Sequence, residues 1–312
     1  MKNFILSFNV VVPLFINIMF GYFIKKLKLI DTHTLKVMNS VTFKTFLPLL
    51  LFYNVYKTRL DEAINAKFII FAPVSIFLVC ILATIIILII EKENKRRGVL
   101  IQAIFRSNFV LFGLPVITSL FGDESAGVTS MLIAIIVPIF NFLAVIVLEI
   151  FRGGEIDVKK IMQGIITNPL ILSSVFGLIL LFAGVKLPYF LEKSINDISK
   201  IATPLALIIL GGSFEFDEIA HNIRQIAIGV FGKLIAVPII FVPIAINVGF
   251  RNIELATLII MLAAPTAVSS FTMAEQMEAD GELAGQLVVF TSAISVFTIF
   301  IWIFIMKELG YI

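Results

Sequence analysis

Arg106-Ser107-Asn108-Phe109-Val110-Leu111-Phe112-Gly113-Leu114-Pro115 places a charge, two hydrogen-bonding side chains and a helix-breaking pair inside one apolar run, Val99 to Phe121. In hydrocarbon, backbone freed by glycine or proline has no water to bond, so such a break is tolerated only where it packs on protein or lines a polar cavity. The stretch therefore predicts half of a solute site. A matching interruption, Ala264 to Gln276, sets Pro265, Thr266, Ser269, Ser270, Thr272 and Glu275 inside another apolar run. Paired interruptions in the two halves of one chain point to a transporter's binding site.

Composition sets the surroundings. Of 312 residues, 60% are hydrophobic and only 14% charged, and the mean hydropathy is +1.08; soluble domains carry about a quarter charged residues. An all-α integral membrane protein is expected. Cys80 is the single cysteine, and His33 and His221 stand far apart in polar connections, so neither a disulfide framework nor a metal site nor a histidine-based enzyme is expected. The net charge of +3 does not argue for nucleic acid. Lys2 precedes an apolar run that continues to Ile24, too long for the apolar region of a signal peptide and without a small-x-small cleavage site, so it reads as the first span.

About twenty mostly apolar residues make one helical span, and that template recurs about ten times. Uncharged runs lie at Asn3 to Ile24, Phe68 to Ile90, Ser125 to Leu148, Ile161 to Val185 and Leu283 to Met306. Weaker ones, Asn39 to Tyr56, Val99 to Phe121, Ile201 to Phe214, Gln225 to Phe250 and Glu254 to Met277, are short or carry Lys44, Arg106, Lys233, Glu254 or Glu275. With the N-terminus outside, the inner connections hold twelve Lys and Arg against nine in the outer ones, Arg59 among the latter. The positive-inside rule then puts both termini outside the cell (inner) membrane.

The chain also resembles itself. Pro13 and Pro169 are 156 positions apart, as are Pro48 and Pro204; at that offset Leu14 meets Leu170, Phe20 meets Phe176, Gly21 meets Gly177, Leu49 meets Leu205 and Leu51 meets Leu207. Shifted by two, Glu124, Ala126 and Gly127 meet Glu282, Ala284 and Gly285. Two repeats, 1–153 and 154–312, would hold five spans each. An odd number of spans makes the second copy enter the membrane from the opposite side, inverting the halves about an in-plane axis.

Three motifs carry a family resemblance: Arg106-Ser107-Asn108-Phe109 with Gly113-Leu114-Pro115, Pro204-Leu205-Ala206-Leu207 with Gly211-Gly212, and Ala264-Pro265-Thr266-Ala267 with Ala274. The chain resembles, over nearly its whole length, the auxin efflux carrier family, which includes plant PIN carriers and bacterial relatives described as malate or malonate permeases. The resemblance implies an elevator-type carrier of ten helices in two inverted five-helix repeats. Spans 1, 2, 6 and 7 would form a scaffold and spans 3–5 and 8–10 a transport domain, whose fourth and ninth helices break and cross at Pro115 and Pro265. It also implies an anion beside the crossover. Asn108 is carried over by its place in the Asn-x-x-x-x-Gly-x-Pro pattern, whereas Thr266, Ser269 and Ser270 stand in the second repeat where an asparagine would suit.

Half-helix N-termini favour a carboxylate, so the expected substrate site comprises Asn108, Gly113, Pro115, Pro265, Thr266, Ser269, Ser270 and, from the scaffold, Asn54 beside Tyr53. Arg106 is expected either to compensate the anion's charge or to snorkel to the interface; Lys233 and Lys44 are expected to snorkel. Glu275 either couples a proton or sodium or begins a solvated acidic loop with Glu278, Asp280 and Glu282. Glu149 is expected to pair with Arg152. The leading reading is a non-enzymatic carrier exporting or exchanging small organic anions, carboxylates or auxin-like acids, by elevator-type alternating access, with no cofactor or metal, in the lipid bilayer and as a homodimer. The competing reading is a sodium- or proton-coupled symporter or antiporter on the related crossover architecture.

Overall fold

A computed structural model describes residues 2–58, 65–122, 125–152, 158–216 and 218–312; Arg59 and Glu124, used in the charge count and the repeat, lie outside them. Among the described residues the chain is helical. The first half runs α1 (Lys2–Lys26), α2 (Thr32–Val41), α3 (Leu47–Tyr56), α4 (Ala66–Ile90), α5 (Asn94–Phe105), α6 (Phe109–Phe121) and α7 (Ala126–Ile150). The second runs α8 (Val158–Ile166), α9 (Pro169–Phe182), α10 (Tyr189–Ser199), α11 (Ala202–Ser213), α12 (Ile219–Phe231), α13 (Val237–Val248), α14 (Asn252–Ala263), α15 (Ser269–Gln276) and α16 (Gly281–Glu308). Seven of the described helical stretches are long and apolar enough to cross a membrane, and α6, α9 and α14 are shorter apolar helices.

Prolines explain where the helices change pitch. Pro48 and Pro238 sit in the first turns of α3 and α13, and each follows a π-helical turn, Thr42–Phe46 and Gly232–Ala236. A proline lacks an N–H and crowds the carbonyl four residues back, and a widened turn makes room for it. The carbonyl four residues before Pro238 belongs to Leu234, and it accepts a hydrogen bond from Trp302 Nε1 at 3.2 Å instead. Asn168 and Pro169 have a stronger effect. The run Ile161 to Val185, expected as one span, is divided: Asn168 accepts from Leu170 N at 3.0 Å and caps a new helix at Pro169.

Close backbone packing joins the halves. A Cβ on Gly21 of α1 would fall on the backbone carbonyl of Ile208 in α11, and one on Gly177 of α9 would lie 3.0 Å from the carbonyl oxygen of Phe52 in α3. Hydrocarbon supplies no hydrophobic drive between helices, so small residues that admit a neighbouring backbone carry the association. Gly21 to Gly177 and Phe52 to Ile208 are both steps of 156 positions. The second contact is thus the first one displaced by the offset found in the sequence.

The long apolar helices point large side chains outward, Ile70, Ile81 and Ile89 on α4 among them, as a lipid-facing surface requires. The interior polar groups collect around α5, α6, α14, α15 and α16. Lys233 departs from expectation: it is 1% exposed inside the π-helical turn and does not snorkel, whereas Lys44 is exposed. Glu149 lies 3.7 Å from Arg152, which also donates to Glu278 at 2.8 Å.

Candidate functional site

Two helices stop mid-course and touch. α5 ends at Phe105 and α6 begins at Phe109; α14 ends at Ala263 and α15 begins at Ser269. Arg106 (φ −83°, ψ 122°) and Ala264 (φ −65°, ψ 152°) both turn extended at the stop, and they are 158 positions apart. The freed backbone is paired across the break. Asn108 N donates to Pro265 O at 2.7 Å, and Ser107 and Thr266 form an isolated antiparallel bridge. Thr266 N donates to Thr291 Oγ1 at 3.1 Å, while its hydroxyl donates to Ala103 O at 3.0 Å. The breaks are therefore held by protein, as burial in a membrane demands.

The first break falls earlier than expected. Pro115 lies within α6, and the chain opens at Arg106-Ser107-Asn108 instead. One proline in a helix frees a single carbonyl, which a local adjustment repairs; at Arg106 to Asn108 the extended backbone bonds to the other segment, and that pairing ends the helix. Gly113 also stays within α6, where a Cβ would meet the Phe109 ring at 2.9 Å; it serves packing.

A cavity of ≈ 100 Å³ adjoins the crossing. Arg106, Asn108, Asn141 and Ser269 line one side of it, and Leu47, Leu50, Asn54, Thr203 and Ala206 of α3 and α11 face them. The first turns of α6 and α15 both border it, through Phe109 to Leu111 and through Ser269. Neither helix has a side-chain cap; in α15 the Ser270 and Phe271 amides donate to Ala267 O at 2.9 Å and Val268 O at 3.2 Å, while the first amides of α6 have no partner within the helix. The positive dipole end of α6 thus faces this volume.

Arg106 is 3% exposed. Its Nη2 donates to Asn141 Oδ1 at 2.5 Å and to Ser269 Oγ at 2.8 Å, and its Nη1 contacts Met273 Sδ. All three acceptors are neutral, and no carboxylate among the described residues lies within ion-pair distance of Arg106. A guanidinium has five N–H donors; three are engaged, leaving two without a partner among the described residues. The expectation that Arg106 snorkels is set aside by its burial.

The amides add further donors. Because Arg106 can only donate, Asn141 must turn its oxygen to the guanidinium, leaving its NH₂ unpartnered; the NH₂ of Asn108, 8% exposed, is unpartnered too. Asn141 was not anticipated. Its signal was available as an amide in the middle of the otherwise apolar run Ser125 to Leu148.

The remaining expected residues divide. Asn54 and Ser269 reach the cavity. Pro265 and Thr266 hold the crossing without lining the cavity, and Ser270 is buried beside it with its hydroxyl unpartnered. Glu275 is elsewhere. With Lys25, Lys36, Glu215 and Glu282 it borders a second cavity of ≈ 200 Å³ between α1, α2 and α11 on one side and α15 and α16 on the other. Asn39 of α2 donates to Thr272 O of α15 at 3.2 Å, and Asn39 Oδ1 and Thr272 Oγ1 have no partner among the described residues. Among the described residues, no group of three or more His, Cys, Asp or Glu is placed to hold a metal ion.

Comparison with known proteins finds transporters. A family model described as "Membrane transport protein" matches residues 6–303. An uncharacterized transporter of Methanocaldococcus jannaschii is 23% identical over 94% of this chain and 97% of its own. An uncharacterized transporter of Methanothermobacter thermautotrophicus is 22% identical over 95% and 97%. A Rhizobium meliloti protein named "Putative malonate transporter" is 23% identical over 93% of each.

Proposed function

From the premise that this chain belongs to the membrane transport protein family, that of the auxin efflux carriers, we propose that it is a carrier for small organic anions. The observation that carries the reading is the Arg106 guanidinium, buried at the crossing beside a cavity and faced only by neutral acceptors. Moving a charge from water into protein carries an effective penalty of several kcal/mol unless it is paired. Asn108 and Asn141, whose NH₂ groups are unpartnered, line the same cavity, and so does the uncapped start of α6. A negatively charged solute supplies what all of them lack. The Rhizobium relative's name, a malonate transporter, points to the same broad class.

The mechanism proposed is alternating access by an elevator movement. Joining α2 to α3, α5 to α6, α8 to α9, α10 to α11, α12 to α13 and α14 to α15 gives ten crossings, five in 1–153 and five in 154–312. Two observations support an inverted pair: the glycine contacts repeated at an offset of 156 and the helix stops repeated at 158. The scaffold would be the crossings with the glycine contacts, α1 with α10 and α11, and α2 and α3 with α8 and α9. The cavity lies between it and the crossed helices, where a sliding domain would carry solute past a fixed wall. Asn54 on that wall and Asn108, Ser269 and Arg106 on the moving side are the residues assigned to the path. By the count of Lys and Arg in the connections, both termini would lie outside a cell membrane.

The test is uptake of labelled carboxylates by purified protein in liposomes under imposed pH, sodium and voltage gradients. Saturable uptake above that of protein-free liposomes supports the carrier. Uptake that vanishes without sodium favours the symporter reading, and absence of uptake for every anion tried defeats the proposal.

A further inference from the structure

The anion-carrier reading is the premise here, and the charge of its site narrows the solute. We propose that the site holds one carboxylate group, so that the solute moved is a small monocarboxylate with an apolar body and a dicarboxylate is accepted only after one of its acid groups has taken up a proton.

The first ground is the count of charges. Among the described residues lining the crossover cavity, Arg106 is the only ionisable side chain. Lys233, the other deeply buried cation, does not border it. The second ground is asymmetry. At the offset of 158 that relates the two helix stops, Arg106 corresponds to Ala264, Ser107 to Pro265 and Asn108 to Thr266. A twofold site built for two carboxylates would have a cation from each half; here the second half lines the cavity with Thr203, Ala206, Ala267, Val268 and Ser269 and no cation.

The third ground is the distribution of polarity. Arg106, Asn108, Asn141 and Ser269 gather on the crossed-helix side, and the opposing wall is mostly aliphatic, Leu47, Leu50, Leu51 and Ala206. Its polar members, Asn54 and Thr203, are neutral. A solute's ionised end would meet the guanidinium and the unpartnered amides while its body lies against leucine. A second ionised carboxylate would have to lie against that same aliphatic wall, where low polarity strongly disfavours an unpaired charge. Protonation removes the difficulty: burial favours the neutral form of a carboxyl group, and the proton then travels with the solute.

Two acids that differ in little but charge provide the test. Malonate is a dianion at pH 7.5 and its monomethyl ester a monoanion of nearly the same shape. Initial uptake of each labelled acid is measured in proteoliposomes at pH 7.5 and at pH 5.5, against protein-free liposomes. The expected result is a KM at least tenfold lower for the monoester at pH 7.5. The KM for malonate should fall on acidification while that for the monoester stays level. Malonate taken up as well as the ester at pH 7.5, with a KM indifferent to pH, overturns the inference and leaves the anion carrier standing. Failure to move either acid, or any other carboxylate, removes the carrier reading and this inference with it.

Discussion

Replacing Arg106 by glutamine separates a solute-binding role from a packing role, because the two predict opposite behaviour. A charge-assisted hydrogen bond to a carboxylate contributes roughly 1.5–3 kcal/mol, and each 1.4 kcal/mol is about tenfold in affinity. KM for the transported anion should therefore rise by about 10- to 150-fold. Stability of the empty protein should move little, since the substitution forfeits charge-assisted hydrogen bonds to Asn141 and Ser269 worth roughly 1.5–3 kcal/mol each. It also removes a buried charge whose effective penalty is several kcal/mol. Saturating ligand adds a second readout. At a concentration one hundred times the wild-type Kd, bound solute stabilises the native protein by about 2.7 kcal/mol; a hundredfold weaker variant at the same concentration gains only about 0.4 kcal/mol. Thermal unfolding in detergent with and without the anion, beside uptake kinetics, measures both. A variant that transports normally but melts well below wild type would refute the reasoning and make Arg106 a structural residue.

Further expectations concern other parts of the molecule. Asn108→Ala should raise KM about tenfold with normal expression and melting, and unchanged uptake would remove its amide from the site. Pro265→Ala should slow exchange severalfold by letting α14 run on toward α15, whereas Pro115→Ala, inside α6, should alter rates far less; equal effects would place the functional break wrongly. Gly177→Leu should destabilise by about 1–3 kcal/mol through overpacking against Phe52 and Val55, and a normal melting temperature would deny the contact. Burial opposes ionisation of Glu91 at the end of α4, yet N–H donors of Glu93, Gln225 and Lys92 outweigh it and hold the carboxyl below its ordinary value of 4.5. Because the folded value is the lower one, Glu91 stabilises the fold above about pH 4.5 and ceases to as pH falls through the folded value. Glu91→Gln should flatten that acid limb, and an identical acid melting profile would exclude the contribution.

Much of this molecule could be read before any coordinates, because in a bilayer the solvent itself enforces the rules. Spans follow from length and hydropathy, and the paired interruptions at Arg106 and Ala264 were visible as polar groups where none should be. What stayed hidden depended on contacts between distant segments. The break at Arg106 to Asn108 exists because Pro265 and Thr266 are there to pair with it, so Pro115 looked the better breaker in isolation. Asn141 was passed over as a single amide in an apolar run, since its orientation is dictated by Arg106 from another helix. Lys233 resembled an interfacial lysine until the π-helical turn placed it inside. Asn168 and Pro169 did have a local signal, a cap residue followed by proline, which the long apolar run concealed.

The link between Asn39 and Thr272 has a kinetic meaning. One hydrogen bond joins α2 to α15 there, while an amide oxygen and a hydroxyl beside it go unsatisfied. A fully paired contact would have to surrender every bond when it opened; here, the first molecules of water to enter would find two groups ready to receive them. Separation of α2 from α15 would thus be eased by water, and hydration of those two groups, more than rupture of the bond, would govern how readily the helices part.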